Sequence, residues 1–490
     1  MYRQPSKRRL LLRRIAVYGS MTIAVVGLVT VLVFVMLGYQ FNRSDGKIEQ
    51  GGLVQFESRP TGANVTIDGA TFGSQTNTKT TLGAGDHFIK MDHEAYRTWQ
   101  KSVNVIPGSI LWLNYSRLIP NDLSPSSVAN FATVSSAAAS VDHKWMAIKE
   151  ASSTPVVRIA DLSGDTVKLT TLTFPGGSYT KPEEGKTQSF SLQKWDPDSR
   201  YILVKHTYDD SKLEWIVLDT RDVSRTKNIT TLLGINASKV EFSNANSAVL
   251  YALADGAVRR VDLGQTTLSG PLLNGIADFN LYDDSTIAYV TLLDPTTKVR
   301  TVGYYEDGAK KPRTLRSYSD DGTTPLHFQV DKYFDDTYAA ISYGENVEVL
   351  IGDLPKSDDE KPSLMKVAST MTLPGGIQFL STKTNGRFVV AQSSDTFTVY
   401  DLELKKMTAT KLKGTSPVTE ELDWLDSYLL WSDRDDMLRF YEFDGANQHD
   451  IMPVVPGFGV TLSPNGKYIY GISMSKDGKF HLSRVQLILG

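Results

Sequence analysis

Two histidines six residues apart, His87 and His93 in "DHFIKMDHEAY", stand among the acids Asp86, Asp92 and Glu94. Imidazole and carboxylate are ligands that a divalent cation such as zinc accepts, so this is the first place where the chain offers chemistry. The spacing argues against it. On a strand the two rings share a face but stand about 20 Å apart, at ~3.3 Å per residue, and a metal–ligand bond is only about 2 Å long. The stretch reads instead as a solvated hairpin. "SDRDDM" (Ser432–Met437) and "YSDDGTT" (Tyr318–Thr324) have the acid content of a calcium loop. They lack its combination of regular acid spacing, turn glycine and distant bidentate glutamate, and read as polar hairpin tips. "GAGDHF" (Gly83–Phe88) lacks the third glycine of a dinucleotide loop and opens a strand where that loop would open a helix. No G-x-S-x-G elbow, H-E-x-x-H pair or G-x-x-x-x-G-K-[ST] loop occurs. The chain has no cysteine, so thiol nucleophiles, thiolate metal sites and disulfides are excluded together. The expectation is no catalytic residue, no metal and no cofactor.

A second set of acids recurs instead of converging. Asp161 ends "VVRIAD", Asp219 ends "WIVLD", Asp262 ends "VRRVD", Asp353 ends "VEVLIGD" and Asp401 ends "FTVYD"; Glu306, Glu442 and Gln486 hold the corresponding place elsewhere. A catalytic acid is normally singular. Acids in equivalent places of a repeat read as turn caps, with the carboxylate accepting backbone N–H groups. Each acid follows, by about 13 to 19 residues, a polar turn that feeds a short apolar strand. "SPNGKYIYG" (Ser463–Gly471), "DPDSRYILV" (Asp196–Val204), "SVDHKWMAI" (Ser140–Ile148) and "SNANSAVLY" (Ser243–Tyr251) are the clearest of these turns.

The elements that must carry these groups begin with a charge asymmetry. Residues 1–14 hold six basic groups and no acid, while the whole chain has a net charge of -3, so the remainder is acidic. An acidic bulk does not attract a polyanion, and nucleic acid is not an expected partner. Residues 15–37 then run without a charge. At ~1.5 Å per residue they reach about 34 Å, enough for a hydrocarbon core of about 30 Å. The run is longer than a signal-peptide core and is followed by no small-residue cleavage pattern. The reading is therefore a single-pass transmembrane helix at 15–37 behind a basic cytoplasmic tail at 1–14. The positive-inside rule places everything beyond it outside the cytoplasm, extracellular or periplasmic. A polar tether at 38–51 follows.

"LVQFES" and "ANVTIDG" are short alternating runs separated by Pro60, Thr61 and Gly62, which favour a tight turn, and Asp68 and Gly69 make a second one. "GAGDHFIKM" and "KSVNVI" read as further strands. The corner Pro60, Thr61, Gly62, Ala63, followed by "NVTIDG", "LGAGDHFIKM", "HEAYRTW" and "VNVIPG", resembles the PEGA domain, a small surface-associated β-domain of bacteria and archaea. Thr61 stands where that family has an acid, and Ala95 where it has a glycine before Tyr96. The resemblance covers 52–119 and implies a binding or spacer module, in which Pro60, Gly62, Ala63, Asp68 and Gly69 are structural. The two prolines and polar cluster of "RLIPNDLSPSS" then place a linker at 120–127.

From 128 to 490 the repeats take over, spaced roughly 38 to 56 residues apart, the period of propeller blades. One four-stranded sheet cannot bury both faces alone, and ring closure lets each pack on two neighbours. "VANFATV" near the start and "FHLSRVQLIL" near the end are placed to share a blade. The units resemble TolB-like and WD-repeat-like propellers, without the Trp-Asp and Gly-His pairs of true WD repeats. The expected fold class is thus an all-β ectodomain behind one helix: a PEGA-like β-module and a propeller of seven or eight blades, eight favoured. The expected function is non-enzymatic, a bacterial envelope protein binding another protein or a cell-wall or surface polymer. The alternative is a glycan hydrolase or lyase with its site at the funnel mouth.

Overall fold

The computed structural model describes residues 7–36, 38–42, 47–283, 285–354, 365–382, 386–418 and 420–489. The chain divides into two compact units, Met1–Asp122 and Leu123–Gly490.

In the first unit, helix α1 (Lys7–Met36) contains a segment, Leu11–Met36, long and apolar enough to cross a membrane, charged only at Arg13 and Arg14 near its start, and none of that segment is buried against protein. It begins earlier than the sequence expectation, because Lys7 to Arg14 are good helix formers and continue the helix through the basic cluster. Leu37 and residues 1–6 lie outside the described residues. The stretch read as a tether carries two short antiparallel strands, Tyr39–Asn42 and Lys47–Gln50. Polar composition alone pointed to a loop there, but the local alternation suits a strand pair.

The module that follows packs two sheets face to face. Gly52–Arg59 lies between Thr78–Leu82 and, in parallel, Ile110–Arg117. Ala70–Gln75, Asn64–Ile67, Gly85–Asp92 and Trp99–Val105 form the other sheet. Alternate residues of Trp99–Val105 are buried, as the two-residue period of a half-buried strand requires. The core is Val54, Phe56, Val65, Ile89, Met91, Trp99 and Leu113, all nearly inaccessible. Asp68 (φ 51°) and Gly69 (φ 83°) are the two central residues of a hairpin turn that links Ile67 to Ala70. Positive φ at both positions matches the right-handed strand twist, which is why Asp-Gly stands there.

The second unit contains, among the described residues, eight antiparallel sheets of four or five strands, formed in chain order. They are sheets I (136–173), II (188–228), III (237–274), IV (276–319), V (326–372), VI (379–411), VII (423–453) and VIII (461–486). Sheet VIII takes its fourth strand from the start of the unit: Ser126–Phe131 pairs antiparallel with Phe480–Gln486. This is a β-propeller arrangement, in which successive sheets bury their faces on each other. Sheets I and II share Ala147, Val157, Phe190 and Val204. Sheets II and III share Leu203, Trp215, Val240 and Leu250, and Phe388 of sheet VI stacks on Trp424 and Phe443 of sheet VII. Sheets VIII and I are joined through Tyr468, Tyr470, Met146 and Ile148. Second strands such as Val249–Ala254 are buried throughout. Last strands such as Lys168–Thr173 and Lys406–Lys411 are largely exposed, and their lysines and threonines discourage pairing with another chain.

The repeated turns share one local device. In "SPNGKYIYG" the Ser463 hydroxyl accepts the Tyr468 N–H at 3.0 Å, and Asn465 accepts the Lys467 N–H at 3.0 Å. In "SVDHKWMAI" Ser140 accepts from Trp145 at 2.9 Å and Asp142 from Lys144 at 3.1 Å. In "DPDSRYILV" Asp196 accepts from Arg200 and Tyr201 at 2.7 and 2.6 Å.

Ala95 has φ 65°, the left-handed region that a Cβ disfavours. Ala95→Gly is therefore expected to stabilise the first unit by about 1 kcal/mol. Thermal melts of the two proteins check this, and a lowered melting temperature would contradict it.

Candidate functional site: the inner wall and mouth of the propeller

A cavity of about 960 Å³ opens among the first strands of sheets I, II, VI and VII and the loops 412–418, 432–436 and 456–460. A belt of contacts joins neighbouring sheets, made by first strands from sheet I to sheet VI and by loops and a second strand beyond it, and it runs through the cavity wall at sheets I and II. Leu192 donates its N–H to the Ser136 hydroxyl at 3.1 Å and the Trp195 indole N–H bonds Ala138 O at 2.9 Å, joining sheets I and II. The Lys194 ammonium meets the Glu241 carboxylate, joining II to III. Lys239 reaches Asp278 at 2.8 Å and Phe279 O at 2.7 Å, joining III to IV. Asn280 donates to Phe328 O at 3.1 Å, and Gln329 to Leu380 O at 3.2 Å, carrying the belt to V and VI. The buried Gln392 amide donates to Glu420 O at 3.1 Å and accepts from Leu422 N at 2.8 Å, holding the segment that leads into sheet VII. Asp433 accepts from Gly457 N at 2.8 Å between VII and VIII, and His143 pairs with Thr461 at 2.8 Å to return to sheet I.

The first strands of sheets II, III and IV each carry a register shift, between Leu192 and Lys194, Ala237 and Lys239, and Ile276 and Asp278. A bulge adds one residue against a single partner and re-aims the side chain after it. In all three strands the charged belt residue directly follows the shift. Sequence reading missed this set because the repeat signal lies in the second and third strands. The trace that was available is a charged residue at the second place in "QKW", "SKV" and "ADF".

Crowding along the wall shifts the titration of its groups. Loss of hydration, and then the neighbouring Lys239 charge, push the Lys194 ammonium down to about 8. The Glu241 carboxylate in contact opposes that fall and favours the charged form at neutral pH. Loss of hydration raises the Asp331 and Glu421 carboxyls, against hydrogen bonds from the Lys332 N–H and Thr382 and from Ser381, respectively. At the mouth, the side chain and N–H of Ser416 and the N–H of Thr415 hold Asp435 down to about 2. "SDRDDM", read as a bare hairpin tip, thus ties the loop at 415–416 to the cavity rim, with Arg434 donating to Ser416 O at 2.6 Å.

Asp161, Asp219, Asp262 and Asp401 are the last residues of the third strands of their sheets. Asp161 accepts from Ser163 N at 2.9 Å, Asp262 from Gln265 N at 2.9 Å, and Asp401 from Glu403 N at 3.0 Å and Leu404 N at 3.2 Å. Asp219 accepts from Arg221 N at 2.9 Å and Asp222 N at 3.1 Å. Burial alone would raise Asp219, but the Arg200 guanidinium at 2.6 Å and these N–H groups hold it below the usual range. Asp401 is paired with Arg387 at 2.7 Å. Asp353 lies two residues beyond the strand Asn346–Ile351, just before 355–364, which lie outside the described residues.

In the first unit, His87 bonds Asp68 at 2.6 Å and Gly83 O at 2.9 Å, whereas His93 bonds Glu94 O at 3.0 Å, so the two rings serve separate turns. Gly62 has φ 89° and donates to Thr76 O at 2.8 Å; Ala63 donates to the Thr76 hydroxyl at 2.9 Å, so the Pro60–Ala63 corner is held to the strand edge. Among the described residues, no group of three or more His, Cys, Asp or Glu side chains is placed to hold a metal.

With this geometry in view, residues 52–118 match the PEGA domain family. No curated protein sequence matches the chain. Among solved structures, similar ones include Sqt1 of Saccharomyces cerevisiae, 10% identical with a TM-score of 0.45, covering 74% of this chain and 97% of that one. The β-propeller domain of Swd1 (Cps50) from Myceliophteria thermophila is 11% identical with a TM-score of 0.40, covering 74% and 99%.

The raised Glu421 carboxyl has a stability consequence. Below the ordinary glutamate value of 4.5 it is protonated folded or unfolded; as pH rises toward the higher folded value, the unfolded state loses its proton first and stability falls. Glu421→Gln is expected to raise the melting temperature at pH 7 and leave it unchanged at pH 4. An equal gain at both pH values would show that the charge is not the cause.

Proposed function

We propose that the chain is a single-pass envelope protein of the bacterial type, with its N-terminus cytoplasmic and both folded units exported. The PEGA-matching module acts as a spacer, and an eight-bladed propeller receives a partner protein or envelope polymer at its mouth. The observation that carries this reading is the belt. Wall groups that would have to converge on a substrate for catalysis are spent on each other between sheets, whereas the mouth presents Val141, which is 61% exposed, Pro417 and Trp431 beside the cavity. Apolar and aromatic groups set among a few fixed polar ones suit recognition of a polymer or an extended segment. The basic tail and long apolar helix support the orientation.

Val141→Glu and Trp431→Ala alter the mouth and leave the belt in place. Captured from detergent-solubilised native envelopes, the unaltered protein is expected to enrich a protein or wall component over a control lacking 128–490. Both variants are expected to lose most of that enrichment, and equal recovery by them would overturn the mouth as the site.

The raised carboxyls Asp331 and Glu421, contributed by different parts of the ring, favour a second reading as a glycan hydrolase, in which a protonated acid assists the leaving group. The binding reading expects no new reducing ends when the protein is incubated with envelope glycans. Release of reducing ends that Glu421→Gln abolishes would replace it with the hydrolase.

A further inference from the structure

Helix α1 ends at Met36, and the antiparallel strands Tyr39–Asn42 and Lys47–Gln50 bring Gly51 back beside Gly38. Gly51 donates its N–H to Gly38 O at 2.9 Å, and Gly108 donates its N–H to Gly51 O at 2.9 Å. Two backbone hydrogen bonds thus connect the segment leaving the apolar helix to the turn at 106–109. Glycine is required for the approach: a Cβ on Gly51 would meet Leu82 O at 2.1 Å, and Gly38 has φ 79°.

Near this junction the module leaves four large apolar side chains in the open: Ile48 (69% exposed), Ile106 (56%), Ile110 (51%) and Trp112 (43%). Ile110 and Trp112 are two residues apart on one strand and share the outer face of the three-stranded sheet, opposite the buried Leu113. The parallel register sets Ile110 beside Leu53 and Trp112 beside Gln55. At the level of Trp112 the same face already turns polar, with Lys79 opposite Gln55 and the Gln55 amide bonded to Glu57. The apolar end of the face is the end tied to the helix exit. From Ile110 to Trp112 the strand rises ~7 Å, about the depth of one headgroup layer. Tryptophan, with an apolar body and one N–H donor, is the side chain that settles at that level.

We propose that this face is a membrane-contact surface. Ile48, Ile106, Ile110 and Trp112 rest in the headgroup layer of the bilayer that α1 spans, so the module lies on the membrane. The proposal rests on the reading of α1 as a transmembrane helix.

The test uses the full chain in phosphatidylcholine nanodiscs, with and without lipid brominated near the glycerol end of its acyl chains. The protein has seven tryptophans, none of them in α1, so quenching by lipid must come from the folded units. The emission lost on Trp112→Phe is expected to be the lipid-quenched part, reduced at least about twofold by brominated lipid, as for an interfacial tryptophan. Ile106→Asp with Ile110→Asp is expected to open Trp112 to aqueous iodide. If brominated lipid quenches the unaltered protein and Trp112→Phe equally, the contact surface is overturned. Alkaline carbonate washing of native membranes separates the two readings. Release of the protein would overturn both the anchor and the contact surface, whereas retention without Trp112 quenching would overturn the contact surface alone.

Discussion

The second unit depends on contacts between neighbouring sheets, most of them made by the first strands. Each sheet has two apolar faces and cannot satisfy both alone, so the buried clusters between sheets supply most of the driving force, at about 25 cal/mol per Å² of apolar surface. Burial is not directional and would tolerate sliding or a different pitch. The inner belt supplies direction. Leu192 to Ser136, Lys239 to Asp278, Gln329 to Leu380 and Gln392 to Leu422 each set one sheet against the next at a defined atom. Individually such bonds are worth about 1 kcal/mol net, and the partly exposed Lys–Glu and Lys–Asp pairs still less. Their role is geometric, to hold the angle at which the apolar faces meet.

That arrangement constrains function as well. A wall whose lysines, acids and amides already bond one another has few donors left to grip a ligand along the channel. The rim differs, because its loops are held by Asp433, Arg434 and Asp435 through backbone bonds that leave neighbouring side chains facing the cavity. Rigid backbone with uncommitted side chains is what a recognition surface needs. The same economy appears in the first unit, where Asp68, His87 and Thr76 fix turns and none of them is left over for chemistry.

Much of the fold was legible because its signals are local. Alternation in "WQKSVNV", the positive-φ demand behind Asp68-Gly69, and the Ser or Asp that caps each repeated turn act within a few residues of themselves. The antiparallel pairing of Ser126–Phe131 with Phe480–Gln486 joins the two stretches that the sequence reading set side by side. The strand pair at Tyr39–Asn42 and Lys47–Gln50 was less legible, since turn composition and weak alternation compete in so short a stretch. The inner belt was not legible at all. Lys194, Lys239 and Asp278 stand on strands whose alternation is interrupted by bulges, and a one-residue slip of register sends a side chain to the opposite face.

By itself, the sequence determined the apolar helix, the turns with their capping residues, the repeat and the absence of thiol chemistry, since each depends on residue type and near-neighbour spacing. Only the tertiary structure decided which polar groups meet across sheets and which loops shape the mouth. Those partners are far apart in the chain, and ring packing, with the bulges, brings their side chains together.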